Sequence, residues 1–344
     1  YGPTNVHRKW IWKSGTDLWG MDPDDLQGRM PAFLPDVPTV RQDLVDYLGE
    51  VQAFDAALGV LLDELESRGL LENTLVVVSG DHGPAGFPHG KCNLYEFGSG
   101  VALAIAGPGV RGSETPGQPR VLDDLVSLPD LAPTFLEAAE LPVPEVMTAR
   151  SLWPSLSSSE SPIADPSREH VLIGRERHVA SARADFKPYP QRAIRTDRYL
   201  FIHNFRPERY PLGDPYRLGD SENEPTFAEI RENTFVTLPD EDAGPTKAWL
   251  VEHRNDPAIK PLFEQVYGQR PEFELYDMKA DVHQMKNVAN EPQYASIAEA
   301  LRTRLHEELI RTGDPRMQDD GAFFENSPMS DPVVKKTKKR VNKK

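Results

Sequence analysis

Residues 74–110 read TLVVVSGDHGPAGFPHGKCNLYEFGSGVALAIAGPGV. Residues 75–78 are an uninterrupted apolar, mostly β-branched run, the pattern of a strand buried on both faces. Residues 101–106 form a second apolar run, stopped by Gly107, Pro108 and Gly109. The loop between them is rich in Gly and Pro and carries Asp81, His82, His89 and Lys91. Open α/β sheets bind ligands beyond the carboxyl ends of their strands. Asp81 and His82 therefore stand where a site is expected. A carboxylate, imidazoles and an ammonium together suit a divalent metal and an anionic substrate.

Outward from this stretch, the clearest helix covers residues 39–68. Leu44, Leu48, Val51, Phe54, Leu58, Leu61 and Leu65 recur at steps of three and four. Thr39 and Gln42 have capping-box spacing, and Gly69 is the expected C-terminal cap. Asp43, Asp46, Glu50, Asp63 and Glu66 read as its solvated face. Residues 1–38 hold many turn signals and three tryptophans, and read as a long loop over a larger body. Residues 121–126 read as a short strand and 127–139 as a helix with Pro129 in its first turn.

A Ser/Pro-rich run at 155–166 reads as a linker or surface loop. It separates an α/β unit, 1–154, from a smaller α+β unit, 167–312. In the second unit, 171–174, 193–195, 199–203 and 273–277 read as strands and 293–309 as a helix. Residues 211–271 read as an irregular insertion with helical patches at 227–231 and 259–267. From residue 313 the patterning is lost, and a basic tail follows through 344 that reads as disordered.

The chain has 344 residues, enough for two domains with a sizeable core. Its net charge of −15 argues against general nucleic-acid binding. Cys92 is the only cysteine, so no internal disulfide forms. No apolar run approaches membrane-spanning length. Against this acidic background, residues 166–210 carry ten Lys/Arg and five Asp/Glu. That local excess either holds an anionic ligand or forms ordinary surface ion pairs.

Asp81-His82-Gly83, Gly90-Lys91, Tyr95-Glu96 and Gly107-Pro108-Gly109 occur in the order and strand context of the sulfatase family, which the chain resembles. Within it, Lys91-Cys92-Asn93-Leu94-Tyr95, Arg192-Ala193-Ile194-Arg195 with residues 199–204, and Tyr276-Asp277 resemble the heparan N-sulfatase (sulfamidase) group. The resemblance implies the C-terminal part of an alkaline-phosphatase-like sulfatase fold. That fold has a mostly parallel central sheet with flanking helices, plus a smaller α+β C-terminal subdomain. It implies an N-terminally truncated sequence, because two features of such enzymes are missing. One is the Cys/Ser-x-Pro-x-Arg motif that yields the formylglycine nucleophile, since Cys92 is followed by Asn93-Leu94-Tyr95. The other is a pair of aspartates.

The implied activity is hydrolysis of sulfate esters or sulfamates of sulfated sugars, dependent on formylglycine and on Ca²⁺ or another divalent metal. The chain as it stands would be inactive alone. Asp81 would supply oxygen to the metal. His82 replaces a commoner Asn, and would either bind the metal through nitrogen or bond a sulfate oxygen. Lys91 would stabilise charge on the sulfate or leaving group. His7, in the segment Tyr-Gly-Pro-Thr-Asn-Val-His-Arg, would touch the sulfate and protonate the leaving group. His89, Arg175, His178 and Arg192 are candidates for sugar contacts. The implied partners are a sulfated carbohydrate and a formylglycine-generating enzyme, with no nucleic acid and no membrane span. The implied location is extracytoplasmic: periplasmic, secreted or lysosomal. Two other functions fit the same residues. One is a phosphohydrolase of the wider superfamily with a Ser or Thr nucleophile; the other is a non-catalytic binder of sulfated glycans.

Overall fold

The structure is a computed structural model that describes residues 2–3, 6–112, 118–158 and 165–327. Its helices and strands run α1 (Ser14–Trp19), α2 (Pro38–Ser67), β1 (Val76–Ser79), α3 (Glu96–Ser99), β2 (Leu103–Ala106), α4 (Leu131–Ala138), α5 (Trp153–Ser157), β3 (Val171–Arg175), β4 (Gln191–Arg195), β5 (Tyr199–Asn204), α6 (Phe227–Glu232), α7 (Pro245–Glu252), α8 (Lys260–Tyr267), β6 (Phe273–Asp277), α9 (Ala295–Arg311) and α10 (Ala322–Glu325). This is the mixed α/β class the sequence predicts, with helices flanking two separate sheets.

Pro38 opens α2 in the first turn, where its missing N–H costs no hydrogen bond. The N-cap is Val37 with no side-chain cap, so the predicted Thr39–Gln42 box does not form. At the far end Gly69 takes φ +66, and the Leu70 N–H reaches back to the Leu65 carbonyl at 2.9 Å. Asp43 and Asp46 correct the sequence reading: each is about 1% exposed, not solvated. Beyond Gly49 no residue of α2 is buried, and Val60 is 67% exposed.

β1 and β2 pair antiparallel, Val76 opposite Ala106 and Ser79 opposite Leu103. This corrects the expected parallel arrangement of these two strands. A parallel crossover needs a connection that travels the length of the sheet. Here the connection folds back on itself, with the Gly83 N–H donating to the Gly98 carbonyl at 2.9 Å, and returns the chain beside its own start. All four residues of β1 are only half-buried, so burial on both faces is not realised. Residues 121–126 are irregular rather than a strand, with Val121 exposed.

The second sheet is antiparallel, in the order β3-β4-β5-β6. Strand alternation divides its side chains between two cores. Ile194, Phe201 and Leu275 face Leu301, Leu305 and Leu309 of α9. Ala193, Leu200, Ile202 and Tyr276 face Leu94 and Tyr95 from the loop between β1 and β2.

Residues 211–271 are not an irregular insertion. Leu212, Ile230, Leu238, Leu250, Val266 and Tyr267 make a buried core of their own, and α7, which the sequence reading missed, contributes to it. The stretch from Gly313 also folds further than predicted. Arg316 is 3% exposed, pairs with Glu176 and Glu325, and leads into α10. Half of the predicted linker, residues 159–164, and the basic tail from 328 lie outside the described residues.

Candidate active site

The loop after β1 is built by close backbone approach. A Cβ on Gly83 would lie 1.8 Å from the Phe97 carbonyl oxygen, so only glycine fits where the loop doubles back. The Lys91 N–H donates to the Pro84 carbonyl at 2.9 Å, which closes the turn that presents Lys91. The following residues are held by the second sheet and its connections. Arg175 donates to the Cys92 carbonyl, Arg270 donates to Asn93 Oδ1 at 2.6 Å, and Tyr95 Oη donates to Glu274 Oε2 at 2.8 Å. Cys92 is packed beside the 211–271 core, and burial pushes its thiol up to about 12, as expected of a small apolar group rather than a nucleophile.

Lys91 Nζ stands 3.1 Å from His7 Nε2 and 3.2 Å from Asp242 Oδ2. His7 Nδ1 lies 2.7 Å from the Arg8 carbonyl oxygen, to which it donates as Nδ1–H. Its Nε2 is thereby the lone-pair nitrogen that faces the ammonium. His7 is positioned by Arg8. The Arg8 guanidinium donates to both oxygens of Asp43, at 2.9 and 2.8 Å, and to the Ala85 carbonyl at 2.8 Å. It lies over the Trp10 ring, 3.9 Å from its centroid. It occupies a slot that a Cβ on Gly86 or Gly244 would fill, at 2.2 and 2.3 Å from guanidinium nitrogens. Asp43 also accepts from the Thr246 backbone N–H and hydroxyl, at 3.1 and 2.6 Å. One buried carboxylate on α2 therefore fixes the His7 segment, the Lys91 loop and the start of α7 together.

Asp81 and His82 follow β1 at its carboxyl end. The Asp81 side chain is 90% exposed, and its Oδ2 lies 3.7 Å from His82 Nε2. His82 Nδ1 donates to the Gly83 carbonyl at 2.7 Å, which leaves Nε2 free to accept a metal or a donor. His7, Asp81, His82 and Lys91 line one cavity of about 1050 Å³. Arg175, Arg177 and His178, at the end of β3, line the same cavity. Burial, and then the Lys91 ammonium, hold the His178 imidazole below its usual range, so it is neutral near pH 7.

Two predicted contact residues lie elsewhere. His89 is 1% exposed, with its ring stacked between Phe33 and Tyr95 at 4.6 and 4.1 Å, and burial lowers its pKa to about 3. It is a packed core histidine. Arg192 pairs with Asp314 and Glu176 and lies over the Phe324 ring. Arg175 does border the cavity, but its charge is already met by buried Asp240, which it shares with Arg183. Sequence reading missed Arg8, Asp43 and Asp242. The apolar residues Val236 and Leu238, just before Asp240-Glu241-Asp242, are the signal that this acidic run is not a surface loop.

A divalent metal at Asp81 would need more donors than this loop supplies. Asp81 and His82 give one carboxylate and one imidazole nitrogen with its tautomer set by a carbonyl. Ca²⁺ takes six to eight oxygens, and among the described residues no group of three or more His, Cys, Asp or Glu can hold a metal. The pair makes one side of a site, not a complete one.

Residues 19–141 match the family model described as Sulfatase. N-sulphoglucosamine sulphohydrolase of Homo sapiens is 29% identical over 323 residues, covering 90% of this chain and 56% of its own. The ulvan-active sulfatase of Formosa agariphila is 28% identical over 322 residues, covering 92% of this chain and 47% of its own. The chain thus spans about half the length of these curated relatives. A structure from the glycosaminoglycan metabolism of Bacteroides thetaiotaomicron superposes with a TM-score of 0.58 at 17% identity, covering 94% of this chain and 55% of the other. That likeness carries the fold. The Asp-His-Gly loop and the Gly-Lys turn both fall inside the matched segment, so the likeness to the sulfatase family is carried by residues 19–141.

Proposed function

We propose that this chain carries the anion-binding and leaving-group side of a site that hydrolyses sulfate esters or sulfamates of sulfated sugars. One observation supports it above the others: His7 and Lys91, 84 residues apart, meet at 3.1 Å on the cavity that also holds Asp81 and His82. The name of the human relative points to an N-sulfated glucosamine as the substrate class.

In this reading Lys91 meets negative charge on the sulfuryl oxygens as it develops. His7, in its protonated form, donates the Nε2 proton to the departing nitrogen or oxygen while Lys91 stays an ammonium. His178, neutral, bonds the sugar or the leaving group. Asp81 and His82 would hold one side of a divalent metal, Ca²⁺ by family resemblance, which supplies Lewis-acid stabilisation of the sulfate. The nucleophile is a formylglycine by the same resemblance, made by a formylglycine-generating enzyme, and no Cys/Ser-x-Pro-x-Arg motif stands in this sequence. Substrates of this kind place the reaction outside the cytoplasm, and no helix among the described residues is long and apolar enough to cross a membrane.

The test is sulfate release from N-sulfated and O-sulfated glucosamine by the whole gene product, coexpressed with a formylglycine-generating enzyme. Lys91→Ala should lower kcat by roughly tenfold to a thousandfold with a smaller change in KM. An unchanged kcat removes Lys91, and with it the proposed site.

A further inference from the structure

Lys91 does not face the cavity as a bare cation. Its ammonium is paired with Asp242 Oδ2 at 3.2 Å, and that oxygen is shut off from solvent without a hydrogen-bond donor in bonding geometry. The backbone on either side of Asp242 is pinned. The Ala243 N–H donates to Thr234 Oγ1 at 2.9 Å. Buried Lys247 donates to the Leu238 and Glu241 carbonyls, at 3.0 and 2.7 Å, which pins the turn that carries Asp242. The Thr246 contacts to Asp43 anchor the other side of it. The backbone that carries Asp242 is therefore fixed beside Lys91, and its carboxylate keeps a negative charge 3.2 Å from the ammonium.

The consequence is a net charge near zero where a lone lysine would give +1. An oxygen bonded to the free side of Nζ, at about 2.8 Å, lies roughly 6 Å from Asp242 Oδ2. At that distance and an intermediate dielectric, each negative charge on the ligand loses about tenfold to a hundredfold in affinity at low salt. A sulfate ester or sulfamate carries one negative charge. A phosphate monoester carries two above its second pKa of about 6. The penalty is paid once by the former and twice by the latter.

We propose that Asp242 is a specificity-determining residue that makes the Lys91 subsite select monoanionic sulfuryl groups against dianionic phosphoryl groups of the same shape. Selection of this kind works by repelling the wrong ligand rather than by better contacts to the right one. The inference rests on Lys91 being the anion subsite, and it explains how a superfamily site also suited to phosphate would be restricted to sulfate.

The test is binding, which needs neither nucleophile nor turnover. Protein labelled with ¹³C-lysine is titrated at pH 8 and low salt with methyl sulfate or methyl phosphate. The Lys91 signal is assigned by its loss in Lys91→Met. In Asp242→Asn, methyl sulfate should bind about tenfold to a hundredfold tighter, and methyl phosphate should gain the square of that factor. Asp242→Glu, which restores the charge, should return the preference toward that of the parent. If the Asn variant loses the far-ultraviolet dichroism of the parent, Asp242→Ser serves in its place. Equal gains for both anions, or no gain for either, would overturn the assignment to Asp242 while leaving Lys91 an anion site. If neither anion moves the Lys91 signal in any variant, the subsite itself is wrong and both readings fall.

Discussion

In β4, β5 and β6 nearly every residue is buried, whereas all four residues of β1 are only half-buried and β2 alternates half-buried with exposed. Yet the residues with chemistry leave from β1. The difference is resolved in the loop between β1 and β2, which packs Leu94 and Tyr95 onto the well-buried sheet and sends Tyr95 Oη to Glu274 on β6. The better-packed region thus supplies rigidity and the poorly packed one supplies reactive groups. Sites built on loops are precise only where a scaffold holds the loop, and here the scaffold lies nearly 180 residues further along the chain.

The strongest way to break this comparison is to cut the mooring. Glu274 accepts from Tyr95 Oη at 2.8 Å, Tyr276 Oη at 2.7 Å and Asn204 Nδ2 at 2.7 Å, all buried. Glu274→Ala leaves these donors unpaired and should cost about 3–5 kcal/mol in urea unfolding. It should also broaden the amide signals of residues 91–96. If those signals stay sharp, the loop is held by something other than β6.

The next test sets the two sheets against each other. Leu305→Ala, at 0% exposure beneath the four-stranded sheet, should cost about 2–5 kcal/mol. Val77→Ala, on half-buried β1, should cost less than about 1 kcal/mol. Equal costs by chemical denaturation would mean that β1 is covered in solution.

Acid sharpens the contrast, because a buried imidazole lies between β5 and α9. His203 Nδ1 is 3.0 Å from His306 Nε2, with Glu272 at 3.7 Å and Arg302 nearby. Burial first, and then His306, lower the His203 pKa from 6.5 to about 3. The unfolded chain binds that proton near pH 6.5 and the folded chain does not, so stability falls as pH drops from about 6.5 toward 3. His203→Phe should flatten this slope by about 1–3 kcal/mol between pH 7 and 4, read from urea midpoints at each pH. A slope unchanged by the substitution would exclude His203 as its source.

The smallest stability effect belongs to the bare end of α2. Val60→Lys with Leu61→Lys should move unfolding by about 0.5 kcal/mol or less, while reducing self-association measured by light scattering, because apolar exposure is removed. A loss of several kcal/mol would show that this face is packed.

The sequence carried the local information well. The sequence placed β3, β4, β5 and β6 to within a residue or two, and in the fold each strand sends side chains to both cores as the pleat dictates. Gly69 marked the end of α2, since the left-handed turn there suits glycine. The motif order in residues 81–109 pointed to the sulfatase family and brought Asp81, His82 and Lys91 into view, and the segment around His7 added that histidine, before their meeting could be seen. What the sequence could not decide was set by contacts between distant segments. The burial of Asp43 depends on Arg8 and Thr246, its neighbours only in space. His89 and Arg192 left the site because stacking and ion pairing elsewhere claimed them. The direction of β2 depended on where the loop closed on itself, and the charge beside Lys91 on a turn at Asp242 that looks like surface when read alone. Periodicity reports how a segment divides between inside and outside; it says nothing of which partner satisfies a buried charge. Only the tertiary structure decided that.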